Sequence, residues 1–149
     1  MRIQEIMNTN VHVVPATESA SSAWELLRQR RIHHLVVTRG GRVAGVVSDR
    51  DLGGPRGAAL RDGKVVAHLM TPFVLSAKPT TTVRQAANML RGYGIGCLPV
   101  MEGGKLRGIV TIADLLDLLG RGSERPVPAT RRWTLKHRGQ GRKKMRVRR

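Results

Sequence analysis

Leu35-Val36-Val37-Thr38-Arg39-Gly40-Gly41-Arg42-Val43-Ala44-Gly45-Val46-Val47-Ser48 returns 63 residues later as Leu98-Pro99-Val100-Met101-Glu102-Gly103-Gly104-Lys105-Leu106-Arg107-Gly108-Ile109-Val110-Thr111. At the same offset, residues 7–52 lie on residues 70–115 without a gap, and 15 of the 46 columns are identical. These include Met7/Met70, Ala23/Ala86, Leu27/Leu90, Ile32/Ile95, Asp51/Asp114 and Leu52/Leu115. Most other columns exchange one apolar residue for another. Self-similarity at a fixed period settles the architecture before local propensities are weighed. Neither copy has the length to bury a good core alone, so the two form one pseudo-symmetric module.

Each copy carries the same order of signals. A lead-in around Ile3-Ile6-Met7, or Val66-Leu69-Met70, reads as a turn of helix, and an extended stretch follows at Val11–Val14 or Phe73–Leu75. Apolar residues then recur at helical spacing: Ala20, Ala23, Trp24 and Leu27, then Val83, Ala86, Ala87 and Leu90. These helices should end near Arg30 and Tyr93. Gly40-Gly41 and Gly103-Gly104 stand between apolar runs, the signal of a tight hairpin whose turn needs positive φ. A final helix is expected after Ser48, cut short by Gly53-Gly54-Pro55, and another after Thr111. Each copy thus reads β-α-β-β-α, an α+β layout. The expected divisions are residues 1–57, 58–120 and a basic tail, 121–149.

Chemistry concentrates at the end of the second hairpin strand. Gly45-Val46-Val47-Ser48-Asp49-Arg50-Asp51 and Gly108-Ile109-Val110-Thr111-Ile112-Ala113-Asp114 share glycine, two apolar residues, Ser/Thr, two variable residues and Asp. Ser/Thr followed three residues later by an acid is the pattern of a capping box. The same residues suit a nucleoside: an Asp on a first helical turn can accept both ribose hydroxyls, and free amides at a helix start can hold a phosphate. Gly45 and Gly108 would let the backbone approach a ligand closely. The two readings are compatible.

Repeat, hairpin glycines and motif together resemble a tandem pair of CBS domains, also called a Bateman module, over about residues 1–120. That resemblance implies an adenine-nucleotide sensor, binding AMP, ADP, ATP or S-adenosylmethionine in two clefts between the copies. It implies ribose binding by Asp51 and Asp114, and contacts from Ser48 and Thr111 to ribose or the α-phosphate. Adenine would rest on Val11, His12, Ile32, His34 and Leu35 at one cleft, and on Val74, Ile95, Cys97 and Leu98 at the other. Arg50, with Arg30, Arg31, His33 and His34, stands where phosphates could pass the first cleft. The resemblance also implies a homodimer through amphipathic helices, with the nucleotide as regulatory ligand and no obligatory cofactor.

Composition bounds the rest. The chain has 149 residues, 40% of them apolar, and no run long and apolar enough to cross a membrane. Its first residues lack the apolar region of an export signal, and Cys97 is the single cysteine, so a reducing, cytoplasmic setting is expected. His12, His33, His34, His68 and His137 show no zinc-like spacing, and no metal site is read. No Ser-His-Asp order, paired carboxylates or glycine-rich phosphate loop stands out, so no catalytic centre is read either.

The net charge is +17, and residues 121–149 hold 12 Lys/Arg against one acid, Glu124. This segment, with Arg131, Arg132, Trp133, Lys136, Arg138, Arg142, Lys143, Lys144, Arg146, Arg148 and Arg149, cannot bury enough apolar surface to fold alone. Its composition is that of arginine-rich arms that order on RNA, with Trp133 able to stack on a base. The expectation is a non-enzymatic regulatory module whose arm binds RNA or the ribosome. Alternatives remain at this point: an RNA- or ribosome-binding structural protein whose repeat binds no nucleotide, a regulatory subunit of another protein and, for the arm alone, a disordered solubilising tail or contact with an anionic membrane.

Overall fold

The computed structural model describes residues 1–72 and 75–120. Val74 and the whole basic tail, with the candidate residues assigned to them, lie outside the described residues.

The first hairpin pairs β2 (His34–Arg39) with β3 (Arg42–Ser48), antiparallel, through Gly40 and Gly41 at φ +58° and +75°. The second pairs β5 (Cys97–Glu102) with β6 (Lys105–Thr111) through Gly103 and Gly104 at +57° and +76°. Both registers slip at the same column, between Val37 and Thr38 and between Val100 and Met101. Positive φ at both central residues gives the turn that matches strand twist, which is why glycine stands there.

β1 (Val13–Pro15) adds to β2 in parallel, and β4 (Thr71–Pro72) adds to β3 antiparallel, making a four-stranded sheet in the order β1-β2-β3-β4. The second sheet repeats this plan with its outer strands reduced to single bridges, Ala77 to Val100 in parallel and Asn8 to Ile109 antiparallel. β4 belongs by sequence to the second copy yet completes the first copy's sheet.

The lead-ins are exchanged in the same way. Ile3, in a 3-10 turn at Ile3–Glu5, is fully buried in the second copy's core with Ala86, Leu90, Leu98, Val100 and Val110. Val66, in α3 (Val66–Leu69), fills the first copy's core with Leu27, Leu35, Val37, Val47 and Leu52. Backbone bonds fix the exchange: the Ile3 N–H donates to Thr81 O at 2.9 Å and the Val66 N–H to Glu18 O at 2.8 Å. Each copy therefore closes the other's core, which a repeat of this length needs in order to bury enough surface.

α1 (Ala20–Arg30) and α4 (Val83–Tyr93) pack on these cores through the apolar columns that the spacing singled out. Their N-caps, Ser19 and Thr82, accept from Ser22 N–H and Gln85 N–H. Both end in a left-handed residue, Arg31 at φ +53° and Gly94 at +62°.

The closing segments differ. α5 (Ile112–Gly120) follows β6 as expected. The short helix expected directly after Ser48 is instead a single hydrogen-bonded turn over 49–53. Gly53 and Gly54 at φ +89° and +66° divert the backbone there, into a 3-10 turn at Gly54–Arg56 and then α2 (Ala58–Arg61).

Candidate ligand cleft

At the end of β3 the Ser48 N–H donates to Asp51 Oδ2 at 2.9 Å, and the Asp51 N–H donates to Ser48 Oγ at 3.1 Å. At the end of β6 the Thr111 N–H donates to Asp114 Oδ2 at 2.8 Å and the Asp114 N–H to Thr111 Oγ1 at 3.2 Å. Both motifs are thus reciprocal capping boxes. They engage Oδ2 of each carboxylate and leave Oδ1 without a hydrogen bond among the described residues. The Thr111 hydroxyl also donates to Asp114 Oδ2 at 3.0 Å, whereas Ser48 makes no such bond and keeps its O–H proton available.

Glycine brings the backbone close beside each box. A Cβ on Gly45 would lie 2.5 Å from Thr71 O, and one on Gly108 would lie 2.8 Å from Met7 Sδ and 2.9 Å from Asn8 O. These glycines make room for the exchanged lead-in, a use the ligand-centred reading of the sequence did not anticipate.

Ser48, Asp49, Arg50 and Asp51 open onto a cleft of about 800 Å³. His34 and Val46 line it from the first copy, and Arg91, Tyr93, Ile95, Gly96, Cys97 and Ile112 from the second. The exchange of segments explains this mixture. Box and strand end come from one copy, while the C-terminal end of a helix and the strand start after it come from the other.

The sequence-derived candidates sort accordingly. Ser48, Arg50, Asp51, His34, Ile95 and Cys97 meet in this one cleft, although His34 had been grouped apart from Ile95 and Cys97. Leu35 and Leu98 are fully buried in the two separate cores and line no part of it. Ile32 packs against the first core, and Val11 against a third cluster of Val36, Cys97 and Ile109. The His12 carbonyl accepts from Val36 N–H at 3.1 Å. Thr111 and Asp114 form their box outside this cleft. Arg91, Tyr93 and Ile112 had not been singled out. The 63-residue offset carried their signal only once the crossing of the copies was known.

Burial favours the neutral forms of His34 and Cys97 in the cleft wall. Burial lowers the pKa of His34 from its ordinary 6.5, chiefly by desolvation, against opposing pulls from Asp49 and Asp51. Burial also pushes the Cys97 thiol up to about 12, with the Asp51 charge adding to the effect. His34 lies against Gly96, where a Cβ would come within 2.8 Å of its Nε2. The neighbouring His33 is exposed and pairs through Nδ1 with Asp49 Oδ2 at 2.8 Å. Among the described residues no three His, Cys, Asp or Glu side chains are grouped to hold a metal ion, and no helix is long and apolar enough to cross a membrane.

Comparison with known proteins agrees with this geometry. A family model for the CBS domain matches twice, at residues 3–52 and 66–121. A CBS domain-containing protein of Dictyostelium discoideum is 31% identical over 140 residues, covering 85% of this chain and 95% of its own length. CBSX2, a CBS-pair protein of Arabidopsis thaliana solved in complex with AMP, is 33% identical, with a TM-score of 0.68 over 79% of this chain and 95% of that one. The CBS domain pair of protein MJ0100, solved with 5'-methylthioadenosine and S-adenosyl-L-methionine, shares the fold at 24% identity, with a TM-score of 0.72 over 80% of this chain and 96% of that one. The chain belongs to the CBS domain family, and its two copies form a CBS pair.

Proposed function

We propose that this CBS pair is a non-enzymatic regulatory module that binds an adenosine ligand in the Asp51 cleft. The observation that carries the reading is the box itself: Asp51 presents an unengaged Oδ1, and Ser48 an available hydroxyl, at the mouth of a cleft walled by Ile95, Val46 and Ile112. The free carboxylate oxygen suits ribose hydroxyls, and the apolar walls suit a purine. Arg50 and Arg91 line the same cleft, which favours a 5'-phosphate over the sulfonium of S-adenosylmethionine. The AMP complex of CBSX2 is consistent with this choice. Asp114 and Thr111 offer a second, symmetry-related site.

The test is a thermal-shift panel of AMP, ADP, ATP and S-adenosylmethionine on the full chain. A ligand at a hundred times its Kd adds about 2.7 kcal/mol, a rise of roughly 8–12 °C at this size. Asp51→Asn retains an acceptor for the cap and should remove the part of the shift that the Asp51 cleft supplies. A flat panel removes the nucleotide reading and leaves the alternative of a CBS pair that binds no nucleotide.

The charge of residues 121–149 favours a second component, an arm that engages RNA, ribosomal RNA included. Six phosphate contacts on a single strand would give log K against log salt a slope near −4. Sedimentation of extract in a sucrose gradient, full chain against a chain ending at Glu124, should carry only the full chain down with ribosomes. A salt-independent or absent association removes the arm. We further infer a homodimer through α5, which buries none of its residues and exposes Leu116 at 62%. Leu116→Asp should then return the protein to a monomer in equilibrium sedimentation, and an unchanged mass would exclude α5 as the interface.

A further inference from the structure

The two copies hold the same capping box with different machinery behind it. Asp114 sits in the first turn of α5, and the helix after it fixes the backbone. Asp51 has only the single turn: the Leu52 N–H donates to Ser48 O at 3.2 Å, Gly53 N–H to Arg50 O at 3.0 Å and Gly54 N–H to Asp49 O at 3.0 Å. The 3-10 turn that follows supplies one backbone donor, from Gly57 N–H to Gly54 O at 3.0 Å, and no backbone N–H donates to Leu52 O among the described residues.

Arg61, in the linker between the copies, supplies the donor that Leu52 O lacks and a second donor to Gly54 O. It is the buried charged residue of the described chain, 5% exposed. Its Nη1 donates to Leu52 O and to Gly54 O, each at 2.7 Å. Its guanidinium carbon lies 4.3 Å from the ring centroid of Trp24, on the buried face of α1. Such stacking over an indole adds a cation–π attraction and fixes the plane of the donors. The linker lies tight against the turn, for a Cβ on Gly57 would come 2.6 Å from Gly53 Cα and 2.7 Å from Leu52 O. Trp24, Arg61 and the Leu52 and Gly54 carbonyls therefore form one chain of contacts, running from α1 through the linker to the turn that presents Ser48 and Asp51.

We propose that Arg61 is a positioning residue for the Asp51 cleft. It touches no ligand itself and lies outside the cleft lining. It substitutes for the missing helix, holding the turn so that the Ser48 hydroxyl and Asp51 Oδ1 keep one geometry. The consequence for ligand binding rests on the adenosine reading of that cleft. The Asp114 box, held by α5, is an internal control that Arg61 does not reach.

The experiment uses the full chain with Arg61→Met, Arg61→Lys and Trp24→Phe, read by amide hydrogen exchange and by calorimetric titration with AMP. Arg61→Met should speed exchange at residues 48–53 about tenfold, leave residues 111–116 unchanged, and weaken by about tenfold the AMP site that Asp51→Asn removes. Arg61→Lys, which keeps a charged donor, should recover part of both effects. Equal acceleration at both boxes, or a lowered Tm with unchanged AMP affinity at the Asp51 site, would overturn the proposal and leave Arg61 a general stabilising residue. If Arg61→Met does not fold, Arg61→Lys and Trp24→Phe decide by the same local pattern at smaller amplitude. If the unmodified chain binds no AMP, the adenosine reading falls on that result alone. The contrast in exchange between the two boxes then still upholds or overturns the positioning role.

Discussion

The two copies agree in their hairpins and diverge around their boxes. β2–β3 and β5–β6 share register, bulge column and glycine turn, and six of the 15 columns identical in sequence are buried in both copies, four of them in the hairpins. At the cleft the columns part company: His34 faces Cys97, Arg50 stands for Ala113, Asp49 for Ile112 and Arg31 for Gly94. Core columns are constrained alike because both hairpins fill the same space. Columns around the boxes are free of that constraint, so the two sites are chemically unequal despite one fold.

The largest effect expected from probing this comparison lies at Gly45 and Gly108. Both make room for the exchanged lead-in, and an alanine Cβ would meet a backbone oxygen at each, Thr71 O at 2.5 Å from residue 45 and Asn8 O at 2.9 Å from residue 108, beside the Met70 and Met7 sulfurs at 2.9 and 2.8 Å. Gly45→Ala should cost about 3 kcal/mol in urea unfolding and Gly108→Ala, where the backbone stands 0.4 Å further off, about 2 kcal/mol. Equal costs would mean that the closer backbone at Thr71 yields as easily as that at Asn8, and that the two crossings are equally soft.

Much of this molecule is legible in one sequence because the repeat supplies its own alignment. Both helices, both hairpins and both boxes lie where periodicity, glycine pairs and the Ser/Thr-to-Asp spacing put them. The exchange of lead-ins was not legible, since Ile3 and Val66 carry the same apolar signal whichever copy they fill. The grouping of His34 with Ile95 and Cys97 was hidden for that reason. Arg61 was missed for another: an arginine in a glycine-rich linker reads as solvated, and only the carbonyls of Leu52 and Gly54 beneath it show otherwise.

His34 and Cys97 occupy one column and should fail at opposite ends of the pH scale. The Cys97 thiol, ordinarily near 9.0, is held protonated to about 12 in the folded chain. Below pH 9 both states carry the proton and nothing changes. Between 9 and 12 only the unfolded chain releases it, so stability falls by about 1.4 kcal/mol per pH unit. His34 has its pKa lowered, so the folded chain resists a proton that the unfolded chain accepts once pH falls below 6.5. Stability therefore falls toward acid as well. In urea titrations across pH, Cys97→Ala should flatten the alkaline limb alone and His34→Gln the acid limb alone. An unchanged alkaline slope in Cys97→Ala would show that the thiol ionises freely and that its side of the cleft is wetter than its burial implies.

The smallest effect, and the sharpest for the comparison, is at the helix ends. Arg31 and Gly94 both close a helix at left-handed φ, +53° and +62°, but only glycine adopts that backbone without strain. A side chain there costs about 1 kcal/mol, part of which glycine returns through the greater freedom of its unfolded chain. Arg31→Gly should therefore stabilise by about 0.5 kcal/mol, and Gly94→Ala should destabilise by about 1 kcal/mol. A second cause could mimic the first result, because Arg28, Arg30 and Arg31 crowd three positive charges at the end of α1. Salt separates the two causes. At about 1 M salt the Debye length falls to about 3 Å and repulsion between exposed charges is largely screened. A gain that persists there belongs to the backbone and makes the two caps equivalent in all but their side chains. A gain that vanishes belongs to the charge cluster, and would mark the end of α1 as a place where this copy keeps positive charge at the expense of stability.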